Sequence, residues 1–302
     1  FVKYDELKTL LEGIDMEKVA IHFGGAVSFP TLLALLKKYM AEKEVDATKV
    51  KGSFNFDPLS YFLIKGEFYK SFENNIEELV KLMADMKNAL PQFKILSVNA
   101  QHFHNAGATA IQELAFGLSS TVEYFSRLVE SGVSIDEVAE KSQFTLALGS
   151  SYFVEIAKIR AARILWTRMM EGFMPAKEEN LKGYIHTVSS EWNKSVYDPY
   201  VNMLRTTTEG MSGAIAASDA MTLTAFDTTF KASDEFSNRI ARNQQHLLKE
   251  ESHLDKVMDP SAGSYYIEQL TQSIAEEAWK LFLEVENKGG LLKAIDKGFI
   301  SA

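Results

Sequence analysis

Two histidines, His102 and His104, stand two residues apart in NAQHFHNAGATAIQELAFGL (99–118). The apolar run ILSVNAQHF reads as a strand ending there, and NAGATAIQELAFGL as a loop entering a helix. A histidine at the carboxyl end of a strand is where an α/β enzyme places an acid or a base. Either imidazole suits proton transfer or hydrogen bonding to a carbonyl; loop packing is the competing reading. The remaining histidines are His22, His186, His246 and His253, and no H-x-x-x-H or H-E-x-x-H spacing occurs, so no metal motif is present. There is no G-x-S-x-G and no cysteine, which excludes a serine elbow of that kind, thiolate nucleophiles, Cys-ligated metals and disulfides. Asp57 and Asp227 follow β-rich runs and fit loop starts or helix caps as well as catalysis. Arg239 and Arg242, three apart on a helical pattern, are expected to pair with Glu250 or Glu251.

The elements that would position these residues alternate in type. Six β-rich runs stand out: 18–25, 50–57, 93–101, 142–149, 183–190 and 220–227. Between them, 28–44 and 71–90 repeat apolar residues at three- and four-residue steps, with Glu73 suited to a helix start, and 152–173 is a longer, more apolar helix. Strand–helix alternation implies parallel strands joined by crossover helices, in a doubly wound sheet or a closed (β/α)8 TIM barrel. Polar or small residues end many successive runs, among them His22 to Gly25, Asn55 to Asp57, Gln101-His102, His186-Thr187 and Thr224-Ala225. That distribution favours a barrel, whose site is shared among its βα loops. A nucleotide-binding sheet would concentrate its signal in one Gly-rich loop, and no G-x-G-x-x-G or P-loop occurs. The expectation is an α/β fold, an incomplete TIM barrel with about six of eight βα units over 1–227, and a helical extension over 228–302. The missing pair would precede Phe1. Within the extension, 259–271 reads as a turn, a short extended stretch and a helix start at Thr271.

The chain has 302 residues with 46% apolar and 24% charged, which suits a water-exposed globular fold with a sizeable core. A net charge of -9 and no basic cluster larger than Lys37-Lys38 argue against nucleic acid, while a local pocket for a phosphate stays open. No run approaches the roughly 18 apolar residues of a membrane span, and no signal peptide opens the chain. A cytoplasmic protein is expected. Phe1 is not Met, so a processed or truncated chain is expected as well.

Several ordered motifs together resemble the acyl-CoA barrel of the adenosylcobalamin-dependent methylmalonyl-CoA mutase family. They are HNAGATAIQELAFGL (104–118), EIAKIRAARILW (155–166), YVNMLRTTTEGMSGAIAASDAMTLTAFD (200–227), FSNRIARNQQHLLKEES (236–252), DPSAGSYYIEQLT (259–271) and GGLLKAIDKG (289–298). The resemblance spans nearly the whole chain and makes its strands the third to eighth of the barrel. It implies radical rearrangement of an acyl-CoA skeleton, with substrate along the barrel axis and adenosylcobalamin carrying the hard step. The family holds cobalamin on a separate C-terminal domain through a D-x-H-x-x-G histidine. None of the six histidines here has an aspartate two residues before it, so no cofactor is expected on this chain and the cobalamin domain is expected to be absent from it.

The resemblance carries residue expectations one by one. His102 matches the barrel histidine that hydrogen-bonds the migrating thioester carbonyl. Asn55 stands for a glutamine near the end of the fourth strand, and Lys65 for the arginine that pairs with the substrate carboxylate. Lys141 and Gln143 stand for an arginine and a serine that contact the CoA phosphates. His186 and Val188 stand for a His-x-Gln pair, and Asp219 for a glutamine at the eighth strand. Lysine lacks the rigid bidentate fork of arginine, valine removes a polar partner, and an aspartate opposes a polyanionic ligand. This profile resembles the small, non-catalytic subunits of heterodimeric bacterial family members. A large catalytic mutase subunit is the expected partner, with 152–173 packing either on the barrel or on an apolar partner surface; a self-dimer is the alternative cover for strand edges. The rival enzyme reading is an active acyl-CoA mutase with altered substrate choice. A chaperone-like regulator is a weaker rival, since no nucleotide motif supports it.

Overall fold

All six β-rich runs form strands, and each is shorter than or equal to its run. The computed structural model describes residues 3–24 and 28–300. The strands are β1 (Ile21–Phe23), β2 (Gly52–Phe56), β3 (Phe93–Asn99), β4 (Ser142–Leu148), β5 (Ile185–Ser189) and β6 (Ala220–Thr222). Gly25, expected at the end of the first run, lies outside the described residues. The sheet order is β1-β2-β3-β4-β5-β6, with no reversal. Pairing is parallel from β1 to β3 and from β4 to β6. A doubly wound sheet reverses its order at a switch point. An unbroken order is that of consecutive βα units, so the chain has the α/β fold of an incomplete TIM barrel.

The helices are α1 (Tyr4–Leu10), α2 (Phe29–Glu42), α3 (Pro58–Lys65), α4 (Phe72–Ala89), α5 (Gln101–Asn105), α6 (Ala110–Glu130), α7 (Ile135–Glu140), α8 (Tyr152–Phe173), α9 (Asn202–Ile215), α10 (Glu235–His246), α11 (Tyr265–Asn287) and α12 (Leu291–Asp296). The described residues fall into two compact units. One comprises residues up to Ser97 together with Tyr124–Gln143; the other comprises Val98–Glu123 and the residues from Phe144 onward.

The first unit is built on aromatic packing. Phe54 is fully buried and meets Phe23, Phe29 and Phe93 with ring centroids 5.1 to 6.0 Å apart. Gly52 has φ +153°, and a Cβ there would collide with the Ile21 carbonyl and the Phe93 ring. The parallel pair β1–β2 therefore requires glycine at that point. Ser71 caps α4 by accepting from the Asn74 amide at 3.1 Å, and Glu73 lies in the first turn as its charge favours.

The second unit settles one expectation and corrects two. Helix α8 is buried within its own unit and packs on α9 and α11. Only Phe153 and Ile164 among its large apolar residues are exposed, at 54% and 48%. An apolar helix this long was legible, and of its two expected settings, the barrel or a partner, its own unit supplies the cover: α9 of the barrel part and α11 of the extension leave no broad apolar face on it. Helix α11 starts at Tyr265, with Ser264 as its N-cap, so the expected extended stretch is helical and Thr271 is an interior residue. The helical spacing of Ile267, Thr271, Ile274 and Ala278, all buried, overrides the β-branched and aromatic content of SYYI. Arg239 lies over the Phe236 ring at 5.7 Å, while Glu250 pairs with Lys249. The expected Arg–Glu pairing is absent among the described residues, because a π-helical turn at Leu247–Glu251 breaks the α-helical register it needs.

Close approach sets one clear requirement in this unit. A Cβ on Gly117 of α6 would lie 2.7 Å from both the Ala100 Cβ and the Phe144 ring. Gly117→Ala is expected to destabilise the protein by about 1–3 kcal/mol, since overpacking outweighs the gain in helix propensity. Gly172→Ala in α8, where nothing lies within 4 Å of the new methyl, is expected to be neutral or stabilising by up to about 1 kcal/mol. Denaturant midpoints of the two variants check the contrast.

Candidate functional site

In the first unit, Asn55 is half-buried in β2 and Lys65 is the exposed last residue of α3. Between them Asp57 is an N-cap. It accepts from the Ser60 amide at 3.0 Å, the Ser60 hydroxyl at 2.5 Å and the Tyr124 hydroxyl at 2.6 Å. The Tyr124 oxygen in turn accepts from the Leu59 amide at 2.7 Å. Burial, then the adjacent Asp57 charge, pushes the Tyr124 phenol well up, so it stays a donor. The turn after β2 is fixed by its own hydrogen bonds. His22 Nδ1 lies 2.8 Å from the Ser53 hydroxyl, and burial holds its pKa below the ordinary value.

Lys141 and Gln143 sit at the amino edge of β4. The Lys141 ammonium donates to the Leu90 carbonyl at 3.3 Å and to the Pro91 carbonyl, and the residue is only 4% exposed. Burial lowers its pKa, against the pull of Glu140 and Glu137. The Gln143 amide donates to the Ser97 hydroxyl at 2.6 Å, and both are buried. These two polar groups are committed to partners in the strand layer.

In the second unit, β3 ends at Asn99, so His102 and His104 stand in the short helix α5 and do not share a strand face. Val98 and the residues before it fit the strand; Ala100 already adopts helical dihedrals and N-caps α5, ending the run early. His102 is half-buried. His104 Nε2 lies 2.7 Å from the Ser190 hydroxyl, and its Nδ1 lies 3.9 Å from Glu113. Serine, histidine and carboxylate in this order have the outline of a nucleophile triad. The chemistry does not follow from it. Ser190 is fully buried, its oxygen also takes the Trp192 amide at 3.1 Å, and Glu113 is held elsewhere.

Glu113 accepts from the Ala147 amide at 2.6 Å and from Lys158 at 2.7 Å. Lys158 also reaches Glu155 at 2.6 Å and the Ala147 carbonyl at 2.8 Å. Burial pushes Glu113 up to about 7, with Lys158 pulling the other way. Burial disfavours the Lys158 ammonium, but Glu113 and Glu155 outweigh it and keep it charged. Burial and then the Lys158 charge push His104 down to about 4, so its imidazole is neutral. Beside this cluster, Lys194 and Glu209 form a second buried pair at 2.6 Å. Sequence reasoning passed over Glu113, Glu155, Lys158, Ser190, Lys194 and Glu209. The signal was available: Glu155 and Lys158 fall on the apolar face of a helix, where a charge requires a partner.

His186 Nε2 lies 2.8 Å from the Thr222 hydroxyl on the neighbouring strand, and Val188 is half-buried two residues along β5. Asp219 precedes β6 and lies at its amino end. It accepts from the Ile185 amide at 2.8 Å and from Arg163 at 3.2 Å, so it ties β5 to α8. Its charge is balanced by Arg163. Asp227 is buried and opens a turn, its carbonyl accepting from Phe230 and Lys231, with the Lys231 ammonium 3.3 Å from its carboxylate. Among the described residues no cluster of His, Asp and Glu could hold a metal ion. No described helix is long and apolar enough to cross a membrane.

Removing one member of the buried cluster tests its weight. Lys158→Met is expected to cost about 3–5 kcal/mol, because two carboxylates lose their counter-charge. Lys158→Met combined with Glu113→Leu and Glu155→Leu is expected to recover a substantial part of that loss in the same unfolding assay.

Residues 2–302 match the family model described as methylmalonyl-CoA mutase. The chain is 43% identical to the methylmalonyl-CoA mutase small subunit of Porphyromonas gingivalis over 99% of this chain and 48% of that protein. It is 34% identical to the methylmalonyl-CoA mutase of Rhizobium meliloti, over 97% of this chain and 41% of that one. The Porphyromonas gingivalis large subunit is 30% identical over 97% of this chain and 41% of its own length. The chain thus spans about half the length, or less, of these relatives. A family model that matches nearly every residue places the chain in the methylmalonyl-CoA mutase family.

Proposed function

We propose that this chain is the acyl-CoA-barrel part of a mutase small subunit that supports a catalytic partner and does not itself rearrange substrate. Residues 1–227 form its incomplete barrel and 228–302 its helical extension. The observation that carries the reading is the state of Lys141. Where the resemblance calls for an arginine on the CoA phosphates, the ammonium is buried and bonded to two backbone carbonyls. An ammonium so held directs two of its three donors to the backbone and is not presented to a phosphate. Lys65 offers a point charge in place of a fork, Val188 offers no hydrogen bond, and Asp219 is neutralised by Arg163.

The family is cobalamin-dependent, and the fit of this chain to cobalt ligation is poor. A ligating imidazole is normally oriented by a carboxylate or carbonyl on its second nitrogen. His22 and His186 are bonded to hydroxyls, and His104 is wedged between Ser190 and a carboxylate already engaged by Lys158. Adenosylcobalamin and the chemistry it supplies belong, in this reading, to the holoenzyme through the large subunit. A cytoplasmic heterodimer is the corresponding assembly. The retained His102 favours the second reading, a catalytic barrel for a different acyl-CoA.

Calorimetric titration of the full-length subunit with methylmalonyl-CoA separates the two. No heat at about millimolar ligand, with the catalytic subunit binding in parallel, is the expected result; micromolar affinity, roughly -8 kcal/mol, would establish the second reading.

A further inference from the structure

Two carboxylates face one ammonium in a space closed to water. The Glu113 and Lys158 side chains are fully buried, and that of Glu155 is 6% exposed. The charged and titratable groups around them are His104 from α5, Lys194 from the segment after β5 and Glu209 from α9. Lys194 and Glu209 balance each other at 2.6 Å. His104 is held by Ser190 and repelled as a cation by Lys158 and Lys194. With His104 neutral, Glu113, Glu155 and Lys158 sum to one negative charge. One backbone donor, the Ala147 amide, reaches Glu113. The Glu155 Oε2 atom has no hydrogen bond of good geometry although Lys158 Nζ lies 2.6 Å away. An uncompensated buried charge with so few donors is unstable relative to proton uptake.

We propose that Glu113, Glu155 and Lys158 form a buried proton-binding site, in which one proton taken up at the Glu113 carboxylate neutralises the cluster and fixes the carboxyl end of β4. The proton comes from water on folding; one carboxylate oxygen gains it and no other bond changes. The neutral cluster then holds the His104–Ser190 link and, with it, the segment carrying His102. None of this depends on whether the barrel binds CoA.

The direction with pH follows from linkage. The Glu113 carboxyl has its ordinary pKa of 4.5 in the unfolded chain and is pushed up to about 7 in the fold. The folded state holds more protons between those values, so stability is greatest at the acid side, falls as pH rises through the window, and levels off above it.

Infrared difference spectra of the full protein at about pH 6, wild type minus Glu155→Gln, are expected to show the C=O band of a neutral carboxylic acid. The same band is expected to vanish in Glu113→Gln. The thermal midpoint of the wild type is expected to fall by about 5 °C or more between roughly pH 5.5 and 8, and that of Glu155→Gln by less than half as much. No such band in the wild type overturns the proposal, as does a band that survives in both variants. Selective 15N-histidine spectra showing a His104 imidazolium at the same pH would put the proton on the ring and overturn it as well. If a variant does not fold, the wild-type band decides alone: it must titrate away near neutral pH, above the range of surface carboxyls.

Discussion

The second unit is organised around the Lys158 ammonium. It has no access to water, and its partners are two carboxylates and the Ala147 carbonyl. Through them it joins α6, α8 and the last turn of β4. Glu113 completes the ring by taking the Ala147 amide, so both backbone groups of one strand residue end on the same ion pair. Buried ion pairs gain little net stability over well-packed apolar groups, but an incomplete one is very costly. The consequence is specificity of placement. A shift of α8 along its axis would leave a charge without a partner, so the register of that helix against β4 is fixed more sharply than apolar packing alone would fix it. The Thr109–Gln112 capping box then sets where α6 begins and hence where Glu113 falls.

A second group of polar residues shows a different logic. Lys141, Gln143 and Asp219 each carry a polar group, and each is bonded within the chain. A ligand-binding group is usually left with unsatisfied capacity toward the pocket, because preorganised donors gain from meeting charge that water would otherwise solvate. Groups turned to backbone carbonyls and strand neighbours have lost that capacity and serve the fold. A glutamine reaching the next strand and an aspartate holding a strand amide are the contacts of a barrel wall.

The architecture was legible because parallel βα units leave two periodic signals. Every strand fell within its expected run, and α2, α4 and α8 fell within one or two residues of theirs. The site was less legible, for three physical reasons. A strand ends where its backbone turns, and nothing in the side chains of NAQHFH marks the helical dihedrals of Ala100. The Arg239 and Arg242 pairing assumed an unbroken α-helix, and a π turn has no clear sequence signature. The cluster at Lys158 joins residues 45 positions apart in the chain, and only the fold brings them together. Asp57 was read without bias as a cap or a catalyst, and its three short hydrogen bonds make it a cap.

These two sets of contacts differ in how far a change at one residue spreads. The structural set is buried, charged and mutually dependent: removing Lys158, Glu113 or the space at Gly117 disturbs several elements at once. Lys141, Gln143 and Asp219 are each anchored to one or two neighbours, so a change at any of them has a local cost. Independent sites change additively, whereas coupled ones resist change.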